Sequence, residues 1–234
     1  MSYNKILERD LEELKNNLEE MIEETKIQYA ETFTALRSGE LNDALLIIQH
    51  DQIINNMQNE FTSTALWKIA KQQLVAKDLR LAVGGILISR EIERIADYSK
   101  IVLKFFVQYK PTRKYINSIV KMFQTVIDML DIISHLFENY QTDGREHVFA
   151  LEAELDKQFH TLYAGLIKDL RKSETDEEAV EIAEAMKQAK NLEKAGDHLI
   201  NVQEIVTFIR TGKFEEIIEM QEILEETVSS SEKN

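Results

Sequence analysis

The sequence has no cysteine, only one proline and only seven glycines among its 234 residues. A chain without cysteine forms no disulfide and no thiolate metal site, and a reducing compartment is its expected environment. Strands need turns, and turns use proline and glycine, so their scarcity predicts an all-α fold. No apolar run is long enough to span a bilayer, and the N-terminal residues lack the apolar core of a signal peptide. We therefore expect a cytoplasmic protein that is not an integral membrane protein.

The chain is acidic, with a formal net charge of −14, yet 44% of its residues are hydrophobic. This hydrophobic share is high enough to build a folded core, so the excess of negative charge does not predict disorder. An acidic surface repels the phosphate backbone of nucleic acids. We therefore expect no nucleic-acid partner.

Apolar periodicity predicts six long helices in two sets of three. Pro111 separates the sets, because a proline and the residue before it disfavour helix. The first five helices span about residues 3–37, 42–71, 77–108, 113–139 and 146–172, and the sixth runs from a capping box at Thr175 and Glu178 to about residue 210. The predicted fold is two tandem, pseudo-symmetric three-helix bundles, residues 1–110 and 111–212, with a short C-terminal helical or flexible tail, residues 213–234.

The two halves can be aligned on each other, which predicts a duplication. Met21 corresponds to Met122 at an offset of 101 residues, and by the third and sixth helices the offset is 100. The corresponding polar positions are Asp51 and Glu152, Asn55 and Asp156, Glu93 and Glu193, and Asp97 and Asp197.

Two of these acidic pairs, Glu93 with Asp97 and Glu193 with Asp197, lie four residues apart on one predicted helix. That spacing places two like charges on one face, with Cβ atoms about 5–6 Å apart. Such pairs arise by chance among 42 acidic residues, and most line solvated faces. These pairs differ because they recur in both halves and lie in apolar rows that we expect to face the core, where a carboxylate pair is costly unless compensated.

A bound cation would remove the repulsion within each pair, and the preceding helices carry further acids on apolar faces. Oxygen-rich clusters suit hard or borderline cations. The sequence therefore predicts divalent or trivalent metal ions bound by carboxylates, namely iron, manganese, zinc, magnesium or calcium. The predicted ligands are Asp51, Glu93, Asp97, Glu152, Asp156, Glu193 and Asp197.

Patterns typical of catalysis are missing from the sequence. None of the five histidines has a glutamate three residues before it, which a di-iron helical bundle requires. The sequence has no Gly-rich phosphate loop and no nucleophile elbow. We therefore predict no catalytic residues and no enzyme, with a metal-dependent helical-bundle enzyme as an open alternative.

Three segments follow one recognisable pattern: QQLVAKDLR at residues 72–80, EIERIADY at 91–98 and NLEKAGDHLINVQE at 191–204. They resemble, in that order, the QQPVAxDLR segment, the ERIGD signature and the second signature copy of the PhoU family of phosphate-signalling regulators. The resemblance spans about residues 7–210. Ala96 replaces the usual glycine of the first signature, and Ile101 stands where the second half has Asn201, so we expect the second-half site to be the stronger one.

The resemblance implies two symmetric three-helix bundles, often dimeric, whose acidic motifs bind multinuclear metal clusters. It also implies a cytoplasmic regulator that restrains a Pst-type ABC phosphate transporter, through its ATPase subunit, and keeps a phosphate-sensing histidine kinase silent when phosphate is plentiful. On these grounds we expect a homodimer that acts by protein–protein contact. An accessory protein of a different phosphate or metal transporter and a plain helical scaffold remain alternatives.

Overall fold

The computed structural model describes residues 3–111, 113–138 and 145–213, and these residues form six α-helices and no strand. The prediction of an all-α fold is therefore confirmed. The helices are α1 (Tyr3–Ser38), α2 (Ala44–Gln72), α3 (Ala76–Tyr109), α4 (Arg113–Glu138), α5 (Arg145–Leu170) and α6 (Asp176–Thr211). Within the described ranges, no helix combines the length and the apolar character that crossing a membrane needs. The predicted tail lies outside the described residues except for Lys213.

The helix ends follow from local chemistry. Gly39 and Gly212 directly follow the last residues of α1 and α6. Their φ angles of +74° and +79° lie in the left-handed region that glycine adopts without strain. At the start of α6, the backbone N–H of Glu178 donates to the Thr175 hydroxyl oxygen at 3.1 Å. The predicted N-terminal cap of α6 is therefore present in the structure.

Each half of the chain packs as a three-helix bundle. Helices α1, α2 and α3 contact one another in the first half, and α4, α5 and α6 do so in the second. Two further contacts join the halves, α1 with α4 and α3 with α6. The α3 and α6 helices, which carry the duplicated acidic pairs, therefore lie side by side in the middle of the molecule.

The α3 helix contributes to the core through the row predicted from its sequence. Ile88, Ile92, Ile95 and Val102 are fully buried, and Ser99 fills the remaining step of the row. Burying side chains of this size from water is worth about 1.5–3 kcal/mol each. This row faces α1 and α2 and fixes which sides of α3 remain available to the acidic residues.

Buried polar contacts set the register of α1 against α3. The Tyr29 hydroxyl donates to the carbonyl oxygen of Ile95 at 2.9 Å, and the Gln28 amide donates to that of Ala96 at 2.9 Å. A buried donor left without its partner costs about 1–3 kcal/mol, so these bonds disfavour any sliding of α1 along α3. The two acceptor carbonyl groups belong to the residues that directly precede Asp97, on the helix that carries the first acidic pair.

The halves join through close contacts on both sides of the molecule. Tyr29 of α1 stacks on Phe123 of α4 with ring centroids 4.7 Å apart, and Lys26 pairs with Asp131 at 2.9 Å. Gly84 of α3 approaches α6 so closely that a Cβ atom there would lie 2.6 Å from Cγ1 of Ile209. The absence of a side chain at Gly84 therefore allows α3 and α6 to meet.

We predict that Gly84→Ala destabilises the protein even though alanine is the better helix former. Overpacking against buried Ile209 costs about 1–3 kcal/mol, and the helix-propensity gain returns about 1 kcal/mol. The expected net loss is about 1 kcal/mol, which lowers Tm by about 2–4 °C in a chain of this length. Thermal or urea denaturation measures the change.

Gly165→Ala is the matched control, because a Cβ atom at this exposed position of α5 meets no heavy atom within 4 Å. It should stabilise the protein by about 0.5–1 kcal/mol. Equal stabilisation by both substitutions would show that α3 and α6 do not approach as closely as described.

Candidate metal centre

The structure gathers the seven predicted ligands into two groups, one in each half. The first-half cluster consists of Asp51 on α2 with Glu93 and Asp97 on α3. The second-half cluster has one more carboxylate and consists of Glu152 and Asp156 on α5 with Glu193 and Asp197 on α6. Each cluster therefore lies between the second and third helices of its own bundle.

Most of these acids lie at the rim of the core rather than inside it. Asp51 is buried, with 4% of its surface exposed, whereas Asp97 is partly exposed and Asp197 is exposed. The prediction of core-facing rows is therefore right for Asp51 and wrong for Asp197. The physical reason is that the core row of α6 passes through Leu192 and Gly196, and the two acids follow one position later, about 100° further round the helix.

A lysine balances the charge of the first-half cluster. The Lys100 ammonium lies 2.7 Å from Oδ2 of Asp51 and also forms an ion pair with Asp97 one turn earlier on α3. Burial lowers the pKa of Lys100, but its hydrogen bonds to Asp51 and Asp97 outweigh burial and leave the pKa above its usual value. The lysine therefore stays charged and neutralises part of the cluster.

The remaining acid of this cluster, Glu93, has no such partner. Burial raises the pKa of Glu93, and the negative charge of Asp97 raises it further. Beside Glu93 is a cleft of about 580 Å³ between α2 and α3, lined by four amide side chains and by the guanidinium groups of Arg90 and Arg94. The surroundings of the first-half cluster are therefore rich in cationic and amide groups.

The second-half cluster is less well balanced. The Lys190 ammonium pairs with Oε1 of Glu193, while Oε2 of the same carboxylate is buried and has no hydrogen-bond partner. His160 lies 3.6 Å from Asp156, and this contact is an ion pair only when the histidine is protonated. An unpaired, buried carboxylate oxygen is costly, and it is the kind of atom that a cation or a proton would satisfy.

The uncompensated charge is visible in the pKa values of two members. Burial raises the pKa of Glu152, and the charges of Asp156, Asp197 and Glu193 raise it further. Burial likewise raises the pKa of Asp197, and the charge of Glu193 adds to the effect. These four carboxylates therefore lie close enough to repel one another, and an oxygen-binding cation fits that donor set.

The acids are gathered but do not form a finished coordination site. In the parts of the chain that the structure describes, no group of three or more His, Asp or Glu side chains is arranged to hold a metal ion. Metal binding by these residues therefore stays a prediction, and it requires side-chain rotation that brings the carboxylates of a cluster together.

Two residues beside the second-half cluster serve packing. A Cβ atom at Gly196 would lie 2.6 Å from Cδ2 of Leu155, so this glycine allows α5 and α6 to approach. His198 faces the other half, where its Nδ1 lies 2.7 Å from Oε2 of Glu91 and its Nε2 lies 3.4 Å from the Tyr98 hydroxyl. His198, which follows Asp197 directly, therefore links α6 to α3 across the middle of the molecule.

Sequence reasoning did not single out Lys100 or Glu91. The spacing of three residues between Asp97 and Lys100 could have indicated an ion pair on one helix. The pairing of Lys100 with Asp51 and that of Glu91 with His198 depend on contacts between different helices, and no local sequence pattern predicts such contacts.

Comparison with known proteins gives the same duplicated arrangement. The family model described as the PhoU domain matches the chain twice, at residues 18–105 and 119–206. A phosphate-specific transport system accessory protein PhoU homolog of Clostridium acetobutylicum is 27% identical over 212 residues, covering 89% of this chain and 96% of that protein. A homolog with the same name from Caulobacter vibrioides is 28% identical over 182 residues, covering 76% of this chain and 77% of the relative.

Solved structures share the fold. The crystal structure of the phosphate transport system regulatory protein PhoU from Streptococcus pneumoniae superposes with a TM-score of 0.78 at 18% identity, covering 90% of this chain and all of that one. The crystal structure of PhoU from Pseudomonas aeruginosa gives a TM-score of 0.79 at 20% identity, covering 88% and 99% of the two chains. Together with the two domain matches, these findings confirm the resemblance seen in the sequence motifs, and the chain belongs to the PhoU family.

Proposed function

We propose that this protein is a cytoplasmic regulator of phosphate uptake and of phosphate-dependent signalling. It restrains a Pst-type ABC phosphate transporter, through the ATPase subunit, and a phosphate-sensing histidine kinase, in both cases by direct protein contact. The observation that carries this proposal is the PhoU domain in both halves, together with curated relatives named as accessory proteins of phosphate-specific transport.

Family membership also bears on the alternative of a metal-dependent enzyme. The PhoU family consists of accessory and regulatory proteins, so the prediction that the chain is not an enzyme is confirmed. A regulator without chemistry of its own acts through its surface. The outer side of α2 supports this role, because Leu45, Leu46, Ile53 and Trp67 are each more than half exposed there. We also propose a homodimer, on the grounds of the family resemblance.

We predict that the protein lowers phosphate uptake when it is expressed in a bacterium whose own PhoU gene has been deleted. Restraint of the transporter should appear as slower uptake of radiolabelled phosphate in phosphate-rich medium and as loss of phosphate-starvation gene expression. The same strain with an empty vector is the control.

Affinity purification from these cells should recover the ATPase of the phosphate ABC transporter. Recovery of a different phosphate or metal carrier, with unchanged phosphate uptake, would contradict the proposal and favour the alternative of an accessory to that carrier.

We further propose that the acidic clusters bind divalent or trivalent metal ions, among iron, manganese, zinc, magnesium and calcium. The buried unpartnered oxygen of Glu193 and the mutual repulsion of Glu152 and Asp197 support this proposal. A bound cation supplies positive charge that relieves the repulsion and ties α5 to α6.

We predict that the double substitution Glu193→Ala/Asp197→Ala removes most of the metal that co-purifies with the protein. The reason is that α6 then offers no carboxylate to the second-half cluster. Inductively coupled plasma mass spectrometry of the purified protein measures the loss. The exposed acids Glu60 and Asp128 lie outside both clusters, so their double Ala variant should keep the wild-type metal content. Equal metal content in both double variants would refute the assignment of these ligands.

We predict opposite effects of Glu152→Gln with and without metal. The raised pKa means that ionised Glu152 opposes folding, so its contribution to stability is largest below the unfolded-state pKa and falls as pH rises through the folded-state pKa. Without metal at about pH 7, the neutral amide should therefore stabilise the protein by about 0.5 kcal/mol, since the site is partly solvated. The gain should disappear at about pH 4, where the wild-type carboxyl is largely protonated.

With saturating Mn²⁺ the order should reverse, because the variant lacks one anionic ligand and gains less from the ion. Thermal denaturation with and without chelator measures both arms, and Glu60→Gln is the control for loss of an exposed charge. A metal-free variant that is less stable than wild type at neutral pH would show that the carboxylates do not repel one another.

A further inference from the structure

The two halves balance their acidic clusters in different ways. In the first-half cluster, Oδ2 of the buried Asp51 lies 2.7 Å from Lys100 Nζ and accepts a second hydrogen bond from the Asn55 amide at 3.0 Å. The same ammonium is ion-paired with Asp97, and only 17% of the lysine side chain is exposed. One of the two carboxylate oxygens of Asp51 is therefore already occupied by two donors of this chain.

The second half has no counterpart of Lys100. At the offset of 100 residues that relates α3 to α6, the corresponding residue is Ile200, which carries no charge. Lys190 pairs with one oxygen of Glu193 and leaves the other oxygen buried without a partner.

The position one turn after Asp51 also differs between the halves, and the difference again leaves more negative charge in the second half. Asn55, a hydrogen-bond donor to Asp51, corresponds to Asp156, a further carboxylate. Arg90 and Arg94, which line the cleft beside Glu93, correspond to Lys190 and Lys194, so these cations do not distinguish the halves. The halves thus differ at two positions: the first-half cluster has three carboxylates with the bridging Lys100 and the Asn55 amide, whereas the second-half cluster has four carboxylates and neither of these donors.

We infer that Lys100 is a built-in counter-ion that takes the place of a metal ion, so that metal binds at the second-half cluster and not at the first. An ammonium and a metal cation are both positively charged, so they repel each other strongly within one site. An ammonium that bridges two carboxylates already supplies the positive charge that a bound cation would provide. This inference rests on the proposed metal binding and assigns it to one half of the molecule.

The test removes the ammonium from the first half. Purified wild type, Lys100→Met and Lys100→Gln are freed of metal with a chelator, dialysed against Mn²⁺, and analysed for bound manganese per chain and for Tm. Loss of the built-in cation should open the first-half cluster and raise bound manganese about twofold. It should also increase the rise in Tm that Mn²⁺ produces. The glutamine variant keeps hydrogen bonding to the two carboxylates and so remains foldable if the methionine variant is not.

The reciprocal variant moves the ammonium into the second half. Ile200 is only partly buried, so Ile200→Lys can be accommodated, and its charge should weaken Mn²⁺ binding on the order of tenfold. Ile200→Met controls for the change in shape. Lys104→Met, at an exposed lysine one turn beyond Lys100, controls for the change in net charge and should bind manganese as wild type does.

The outcomes separate this inference from the proposal beneath it. Manganese content unchanged by Lys100→Gln, with wild-type binding by Ile200→Lys, would overturn the role of Lys100 and leave metal binding itself intact. A wild-type protein that binds no manganese would instead count against the proposed metal role. It would also contradict the assignment of metal to the second-half cluster, and a gain of manganese in Lys100→Gln would then support only the counter-ion role of Lys100.

Discussion

The packing of α3 against α6 is the constraint on which the rest of the structure depends. Each of these helices also completes the core of its own bundle, so neighbours surround it on several sides. Small residues permit this crowding, and a Cβ atom at Gly84 or Gly196 would collide with the facing helix. The acidic pairs that begin at Glu93 and Glu193 lie on the partly solvent-exposed sides of these helices. The acids are therefore held close to the core without entering it.

Much of the fold could be predicted because it depends on local pattern. Leu14, Leu18 and Met21 are buried, as the alternating spacing of apolar residues in α1 indicates, and the cap at Thr175 follows from two residues three positions apart. The packing of one half on the other could not be predicted in this way. It depends on pairs such as Tyr29 and Phe123, which lie almost a hundred residues apart and have no shared sequence signal.

The sequence indicated which acidic residues lie together in each half, but it did not indicate which cationic residues balance their charge. Duplication identified the acids, because a residue that recurs at the same place in both halves is seldom accidental. A long lysine side chain, however, can turn in several directions, so the bridge from Lys100 to Asp51 exists only once α2 and α3 are in register. The burial of each acidic side chain could not be predicted from the sequence either. One position along a helix turns a side chain by about 100°, which is enough to move Asp197 from the core to the rim.

The duplicated like-charge pair thus has two physical solutions within one chain. In the first half the ammonium of Lys100, a residue of the chain itself, cancels part of the charge. In the second half the charge is left open, so we expect the stability of the α5–α6 contact to depend on pH and, under the proposed metal binding, on available cations. Asp197 of this open cluster is followed directly by His198, which holds Glu91 of the other half. The part of the molecule whose charge is unbalanced is therefore one residue away from the contact that joins the two bundles.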